Sequence, residues 1–365
     1  ACTDEQGCGS GNCCSASQTR AARYEVSSSG PRATIREMRI ALSYYCNLRC
    51  AHCYVPEDNR LQYGRLFEAH QLSIEELEDF VDLLAHEFNT KSISITGGEA
   101  LLRPVWPRTE RVMQRALANG LKVRLITAGS GQIDIATVLH SAQRSDNLLL
   151  QVSLDGVQPD QVDQFRGRAG AWQRAVNTIQ EIADLGGAVQ VRYTVTEENI
   201  AQTLECYDLV TNLGAQSFVV KPMFQSGTAR AHQELLVTPE SVRELQLKLI
   251  ERSLRRRTKL KLPQPCYVSP DEIPIAANVE VMYCGCGQDV AYLTPAGDIY
   301  PCTYIVGIKG MERWKLGNLR DPNFDLRSAW LAPDTYSEFR SAPRQCFCTA
   351  QQLAREAEEA LACTP

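Results

Sequence analysis

The sequence predicts an α/β fold in which six strand–helix units share a parallel sheet, followed by a smaller cysteine-rich domain. Three observations carry this. Apolar strand patterns and amphipathic helix patterns alternate strictly from about residue 36 to 258. Prolines 263, 265, 270 and 274 then break the rhythm. The 15 cysteines are unevenly placed: four within the first 14 residues, three from 46 to 53, Cys206 alone, and seven from 266 to 363.

Residues 1–33, rich in Gly, Ser, Thr and Gln, read as a cysteine-containing tail or linker. The first strand, Met38 to Leu42, runs directly into the first internal cysteine group. Ser73-Ile74-Glu75-Glu76 is a capping box, and Leu77, Phe80, Val81, Leu84 and Phe88 follow at helical spacing. Ser92 to Ile95 is the second strand, and 104–119 the next helix, stopped by Gly120. Further strands are predicted at 122–127, 148–154, 189–195 and 217–221. Helices at about 133–144, 171–185, 199–213 and 239–257 complete the pattern, the last opened by Thr238-Pro239. Strict alternation requires right-handed crossovers. A doubly wound sheet and an incomplete barrel both satisfy it. The expected organisation is a tail over 1–33, an α/β domain over 34–258, a small domain over 259–350 and a C-terminal helix or tail over 351–365.

Composition excludes several classes. The balance of 38 basic and 43 acidic side chains gives a formal charge of −5, so no bulk positive field draws nucleic acid or an anionic membrane. No window approaches the ~20 apolar residues of a membrane span, and the first thirty residues lack a signal-peptide core. An odd cysteine count without an export signal predicts thiols that serve metal or redox chemistry in the cytoplasm.

Cys46, Cys50 and Cys53 form C-x3-C-x2-C immediately after the first strand, where loops of parallel α/β proteins carry chemistry. Three thiolates hold three corners of a cubane, leaving one iron open to a ligand. Thr96-Gly97-Gly98-Glu99 ends the second strand, with two glycines that allow close backbone approach. On these motifs the chain resembles the radical SAM superfamily. The resemblance implies a (β/α)6 partial TIM barrel, with Cys46, Cys50 and Cys53 holding a [4Fe–4S] cluster that chelates S-adenosylmethionine (SAM). It places Gly97, Gly98 and Glu99 at the SAM amino group. His52 stands where the family usually has an aromatic residue, near the adenine. Ser153 and Asp155 fall at a ribose-binding position, and Arg166 resembles an arginine that meets the SAM carboxylate. Thr194 and Lys221, at the ends of strands five and six, face the same mouth.

A second group contains Cys284-Gly285-Cys286, Gly297 to Cys302, Gly317-Asn318-Leu319-Arg320, Trp330, Phe339-Arg340 and Cys346-Phe347-Cys348. This order is similar to the SPASM/twitch extension of radical SAM proteins. The C-x-C at 346–348 departs from the C-x2-C of the full pattern, and only Cys363 follows. One auxiliary [4Fe–4S] cluster of twitch type is therefore expected, on Cys284, Cys302, Cys346 and Cys348, with Cys286 able to replace either Cys284 or one of the later pair. Four thiolates also suit zinc. Cys2, Cys8, Cys13 and Cys14 are read as incidental thiols, Cys206 as core, and Cys266 has no assigned role.

The resemblance implies reductive cleavage of SAM to a 5′-deoxyadenosyl radical, hydrogen-atom abstraction, and oxidation or rearrangement of the substrate. A flavodoxin- or ferredoxin-type donor would supply the electron. The substrate is expected to be a peptide or a small molecule of natural-product or cofactor biosynthesis. A winged-helix leader-binding module does not fit into about 35 N-terminal residues. No residue stands out as a catalytic base. The competing class is a non-catalytic iron–sulfur or zinc protein for electron transfer or scaffolding, which has no need of a cofactor-binding mouth.

Overall fold

The computed structural model of the protein describes residues 34–55, 71–341 and 348–362. Six parallel strands form the barrel wall: β1 (Glu37–Ser43), β2 (Ser92–Gly97), β3 (Lys122–Thr127), β4 (Leu148–Ser153), β5 (Ala188–Val195) and β6 (Ser217–Pro222). Between and after them lie α1 (Ile74–Glu87), α2 (Trp106–Ala118), α3 (Ile135–Ser141), α4 (Pro159–Arg166), α5 (Ala171–Asp184), α6 (Thr203–Asn212) and α7 (Pro239–Ser253). α4, opened by Pro159 and closed by left-handed Gly167, is an element the periodicity did not anticipate. Cys206 on α6 is fully buried, as a core thiol should be.

The architecture is a partial barrel, and the strands show why. Met38, Ile40, Val123, Leu125, Val189 and Val191 point outward and are sealed under the helices. Their neighbours Arg39, Ser94, Arg124, Gln151, Gln190 and Arg192 point inward and line a cavity. A doubly wound sheet is covered on both faces and needs continuous apolar strands. Here only one face is apolar, so the polar face must curl around a wet lumen.

Local chemistry sets the helix boundaries. In α1 the Ser73 hydroxyl accepts from Glu76 N (3.1 Å) while Ser73 N donates to the Glu76 carboxylate (2.6 Å), a reciprocal capping box. Leu77, Phe80, Val81 and Leu84 are the buried stripe, and each contributes roughly 1.5–3 kcal/mol on burial. Thr238 caps α7 through Ser241 N, and Pro239 occupies the first turn, where its missing N–H costs nothing.

The sheet does not stop at residue 258. β7 (Lys259–Pro263) and β8 (Val279–Met282) continue it in parallel beyond β6. On the other side β9 (Val290–Leu293) joins β1 in parallel, with Glu37 opposite Val290 and Ile40 opposite Leu293. β10 (Asp298–Tyr300) and β11 (Gly317–Asn318) complete an antiparallel extension, giving the order β11-β10-β9-β1-β2-β3-β4-β5-β6-β7-β8. The C-terminal segment therefore shares one sheet with the barrel. Arg320 ties the two further, because its guanidinium donates to both carboxylate oxygens of Glu76 and to the Gln71 carbonyl.

Short helices α8 (Leu326–Leu331) and α9 (Ser337–Ser341) precede α10 (Thr349–Ala362). No helix among the described residues is long and apolar enough to cross a membrane.

Candidate active site

The loop after β1 carries Cys46, Cys50 and Cys53, each partly exposed. Neighbouring backbones clamp it at both ends. Gly98 N donates to Ser43 O (2.7 Å) and Glu99 N to Tyr45 O (3.0 Å), fixing its start to the end of β2. Arg49 N and Ala51 N donate to the Arg166 and Phe165 carbonyls (both 3.0 Å), fixing its middle to the end of α4. Glycine makes these approaches possible. A Cβ on Gly98 would lie 2.0 Å from the Tyr45 carbonyl oxygen, and one on Gly227 2.2 Å from that of Tyr54.

Glu99 is 2% exposed and its carboxylate is fully engaged within the protein. It accepts from Thr127 Oγ1 (2.7 Å), Ala128 N (2.8 Å), Leu101 N (3.1 Å) and Ser130 Oγ (3.4 Å). Burial pushes its pKa up, and these four donors oppose the rise. In this geometry Glu99 anchors the Gly97–Gly98 backbone to the β3 loop, and an ammonium group would have to share its occupied oxygens.

Asp155 and Arg166, expected at the ribose and carboxylate of SAM, form an ion pair with each other. Their side chains are 1% and 3% exposed, and neither lines the cavity. Asp155 also accepts from Thr194 N (2.8 Å). The pair thus ties α4, which holds the cysteine loop, to β5. Ser153 does line the cavity, with Thr194 and Lys221. His52 stacks on Phe165 with ring centroids 4.7 Å apart and planes within 6°. Burial lowers the His52 pKa to about 4, with Arg166 and Arg192 acting the same way against Asp155. Its buried Nδ1 has no partner among the described residues.

The second cysteine group is built around a small aromatic core. Trp314 meets Phe339 edge to face at 5.2 Å, and the Arg340 guanidinium lies 5.0 Å over Trp330. Arg340 Nε donates to Gly287 O (3.0 Å), and Gln288 Nε2 to Phe339 O (2.9 Å), so the Trp and Phe-Arg positions exist to hold the Cys284–Gly287 loop. Cys286 Sγ accepts from Arg39 Nη1 (3.8 Å), and Cys302 Sγ from Tyr304 N (3.5 Å). A hydrogen bond with Cys286, together with burial, raises the Cys284 thiol well above its usual range. Cys346 lies outside the described residues, as do Cys2, Cys8, Cys13, Cys14 and Cys363. Cys266 is buried, its thiol 3.6 Å from Val268 O.

One cavity of about 280 Å³ joins the two groups, lined by Cys46, Cys50 and Cys53 and by Cys284, Cys286, Cys302 and Cys348. Gly97, Gly98, Glu99 and His52 also face it. The polar wall residues Arg39, Arg124, Gln151, Arg192 and Tyr304 are further members that motif reading missed. The polar positions inside otherwise apolar strands were the available signal.

Comparison with known families accounts for both ends of this cavity. The Radical SAM superfamily profile matches residues 40–210, and the SPASM iron-sulfur cluster-binding domain matches 284–351. The chain carries a radical SAM domain followed by a SPASM domain. It is 26% identical over 308 residues to the antilisterial bacteriocin subtilosin biosynthesis protein AlbA of Bacillus subtilis, covering 84% of this chain and 62% of AlbA. The chain thus spans less than two thirds of that relative's length. Identity to the AdoMet-dependent heme synthase of Methanosarcina barkeri is 24% over 310 residues, covering 81% of this chain and 82% of that protein. The fold is shared with Streptococcus suis SuiB bound to S-adenosylmethionine, at TM-score 0.65 and 17% identity, covering 85% of this chain and 68% of SuiB.

The cofactors of a radical SAM protein with a SPASM domain are SAM, its [4Fe–4S] cluster and auxiliary iron–sulfur chemistry. The residues present fit them. Among the described residues no three donors converge tightly enough to close on a single ion, whereas a cubane takes each thiolate on a separate iron. Leu48 N donates to Cys46 Sγ (3.4 Å), the kind of N–H···S bond that stabilises cluster thiolates. The orphaned His52 Nδ1 and the glycine-lined loop leave a donor set and a close-approach surface beside those thiols.

Gly227 gives a direct check of the clamp. Its φ of +59° and the 2.2 Å approach mean that alanine must displace the Cys53–Tyr54 backbone. Gly227→Ala is expected to lose about four irons per chain after reconstitution while the fold measured by circular dichroism persists. Full iron content in the variant would show that the loop tolerates the shift.

Proposed function

We propose that this radical SAM protein is an oxidoreductase or maturase-type enzyme that modifies a peptide substrate. The carrying observation is the single cavity onto which both cysteine groups open. Bound on Cys46, Cys50 and Cys53, the cluster and SAM would supply a 5′-deoxyadenosyl radical for hydrogen-atom abstraction. The auxiliary cluster would sit on Cys284, Cys302, Cys346 and Cys348, with Cys286 as the alternative ligand, and would give the substrate an electron acceptor or a docking point.

The chain's own residues do the rest. Gly97 and Gly98 bring backbone close to the SAM methionyl end, and Ser153 and His52 border the nucleoside side. A flavodoxin- or ferredoxin-type protein is the proposed electron donor, and the cytoplasm the proposed location. Likeness to AlbA and to SuiB, solved also with its precursor peptide SuiA, supports the peptide reading. Likeness to the heme synthase, which the chain matches over 82% of its length, supports small-molecule chemistry as the second reading.

Anaerobic reconstitution with dithionite and SAM tests the enzyme reading. About eight irons per chain are expected for two clusters, with 5′-deoxyadenosine among the products. No 5′-deoxyadenosine at full iron loading would favour the electron-transfer or scaffold class. Cys302→Ala is expected to hold about four irons and still release 5′-deoxyadenosine, while losing substrate conversion. Unchanged iron in that variant would remove the auxiliary cluster from Cys302.

A further inference from the structure

Inside the barrel, one layer below the strand ends, is a patch of side chains that offers only donors. Gln151 is 2% exposed and lines the cavity from β4. Ser217 Oγ donates to Gln190 Oε1 (3.0 Å), and Gln190 Nε2 donates to Gln151 Oε1 (2.9 Å). The direction of this chain leaves the Gln151 amide as its terminal donor, and among the described residues that Nε2 has no partner. On β3, Arg124 also faces the cavity, and its buried Nε has no partner among the described residues. On β5, the Arg192 guanidinium donates to the Tyr304 hydroxyl (2.9 Å) and, among the described residues, pairs with no carboxylate.

The charges around the patch do not supply the missing acceptor. Among the described residues Glu37 is the one carboxylate paired with Arg124, at 3.7 Å, and it also serves Arg39 (3.1 Å) and Ser94 (2.9 Å). Arg39 meets the second cysteine group through Cys286, and Lys221 lies 4.4 Å over the Tyr304 ring. Burial and the like charges of Arg39 and Arg192 outweigh the carboxylates of Glu37 and Glu280 and lower the Arg124 pKa. Leaving donors buried without acceptors is costly, and guanidinium and amide N–H groups together match a carboxylate's two oxygens.

We propose that Arg124, Gln151 and Arg192 bind a carboxylate of the substrate between the two cysteine groups. This deepens the enzyme reading above and rests on it for the word substrate. The chemical class is a carboxylic acid, carried either by a peptide or by a small molecule.

The test uses the reconstituted holoenzyme without turnover. Calorimetry compares butyrate with butyramide, and a short peptide acid with its C-terminal amide. The acids are expected to bind at least about tenfold tighter than the amides, and Arg124→Gln with Gln151→Leu to lose that preference. Whichever acid binds tighter identifies the source of the carboxylate. Equal affinity for acid and amide in the wild type overturns the proposal. So does a variant that keeps the preference with unchanged iron content and thermal midpoint. If the variants instead lose affinity for SAM by the same factor, the donors serve the cofactor's carboxylate and the proposal falls. Absence of 5′-deoxyadenosine in the wild type would overturn the enzyme reading separately, because the binding measurement needs no SAM cleavage.

Discussion

Cys50→Ala is expected to halve the iron of the reconstituted protein, from about eight to about four per chain, and to abolish 5′-deoxyadenosine formation. Cys50 sits at the centre of the clamped loop, and its thiol lies 3.9 Å from the Arg166 carbonyl. The bonds that shape the loop run through the neighbouring amides of Arg49 and Ala51. Alanine keeps those amides, so the fold should survive while the ligand is lost. A thermal midpoint close to wild type, together with missing iron, would separate loss of a ligand from unfolding. Retained 5′-deoxyadenosine formation would mean that Cys46, Cys50 and Cys53 are not the ligands of the SAM-binding cluster.

Asp155→Ala is expected to destabilise the protein by about 3–5 kcal/mol, because it leaves a buried guanidinium unpaired. Arg166 is 2% exposed, and among the described residues its Nε lacks a partner and Asp155 is its carboxylate partner. Thr194 N loses its acceptor in the same substitution. The damage should spread to the first cysteine group, since the Phe165 and Arg166 carbonyls hold its loop. Thermal unfolding of the reconstituted protein gives the size of the effect, and iron retention gives its reach. Adding Arg166→Met should recover part of the loss, because the double variant carries no orphaned charge. A double variant as unstable as the sum of the singles would show that Asp155 and Arg166 act independently.

The two families of features differ in how far they reach along the chain. The capping box of α1 joins residues 73 and 76, and the C-x3-C-x2-C loop spans eight residues that follow one strand. Such signals are local, so they survive in one dimension. The choice between barrel and doubly wound sheet was also present, in the polar positions Arg39, Arg124, Gln151 and Arg192 that interrupt apolar strands. It is decided by which face each strand buries. Placing Asp155 and Arg166 at a ligand relied on motif position, yet both lie where burial forces them to pair with each other.

The sequence by itself determined the β/α rhythm, the first cysteine loop and the order of the second cysteine group, because periodicity, caps and spacing are fixed by neighbours in the chain. The tertiary structure decided that β9 returns some 250 residues later to pair with β1, opening both cysteine groups onto one cavity. It also decided which inward polar side chains find partners there and which keep unanswered donors. Those outcomes depend on pairings between distant strands, whose closure entropy and register no local pattern encodes.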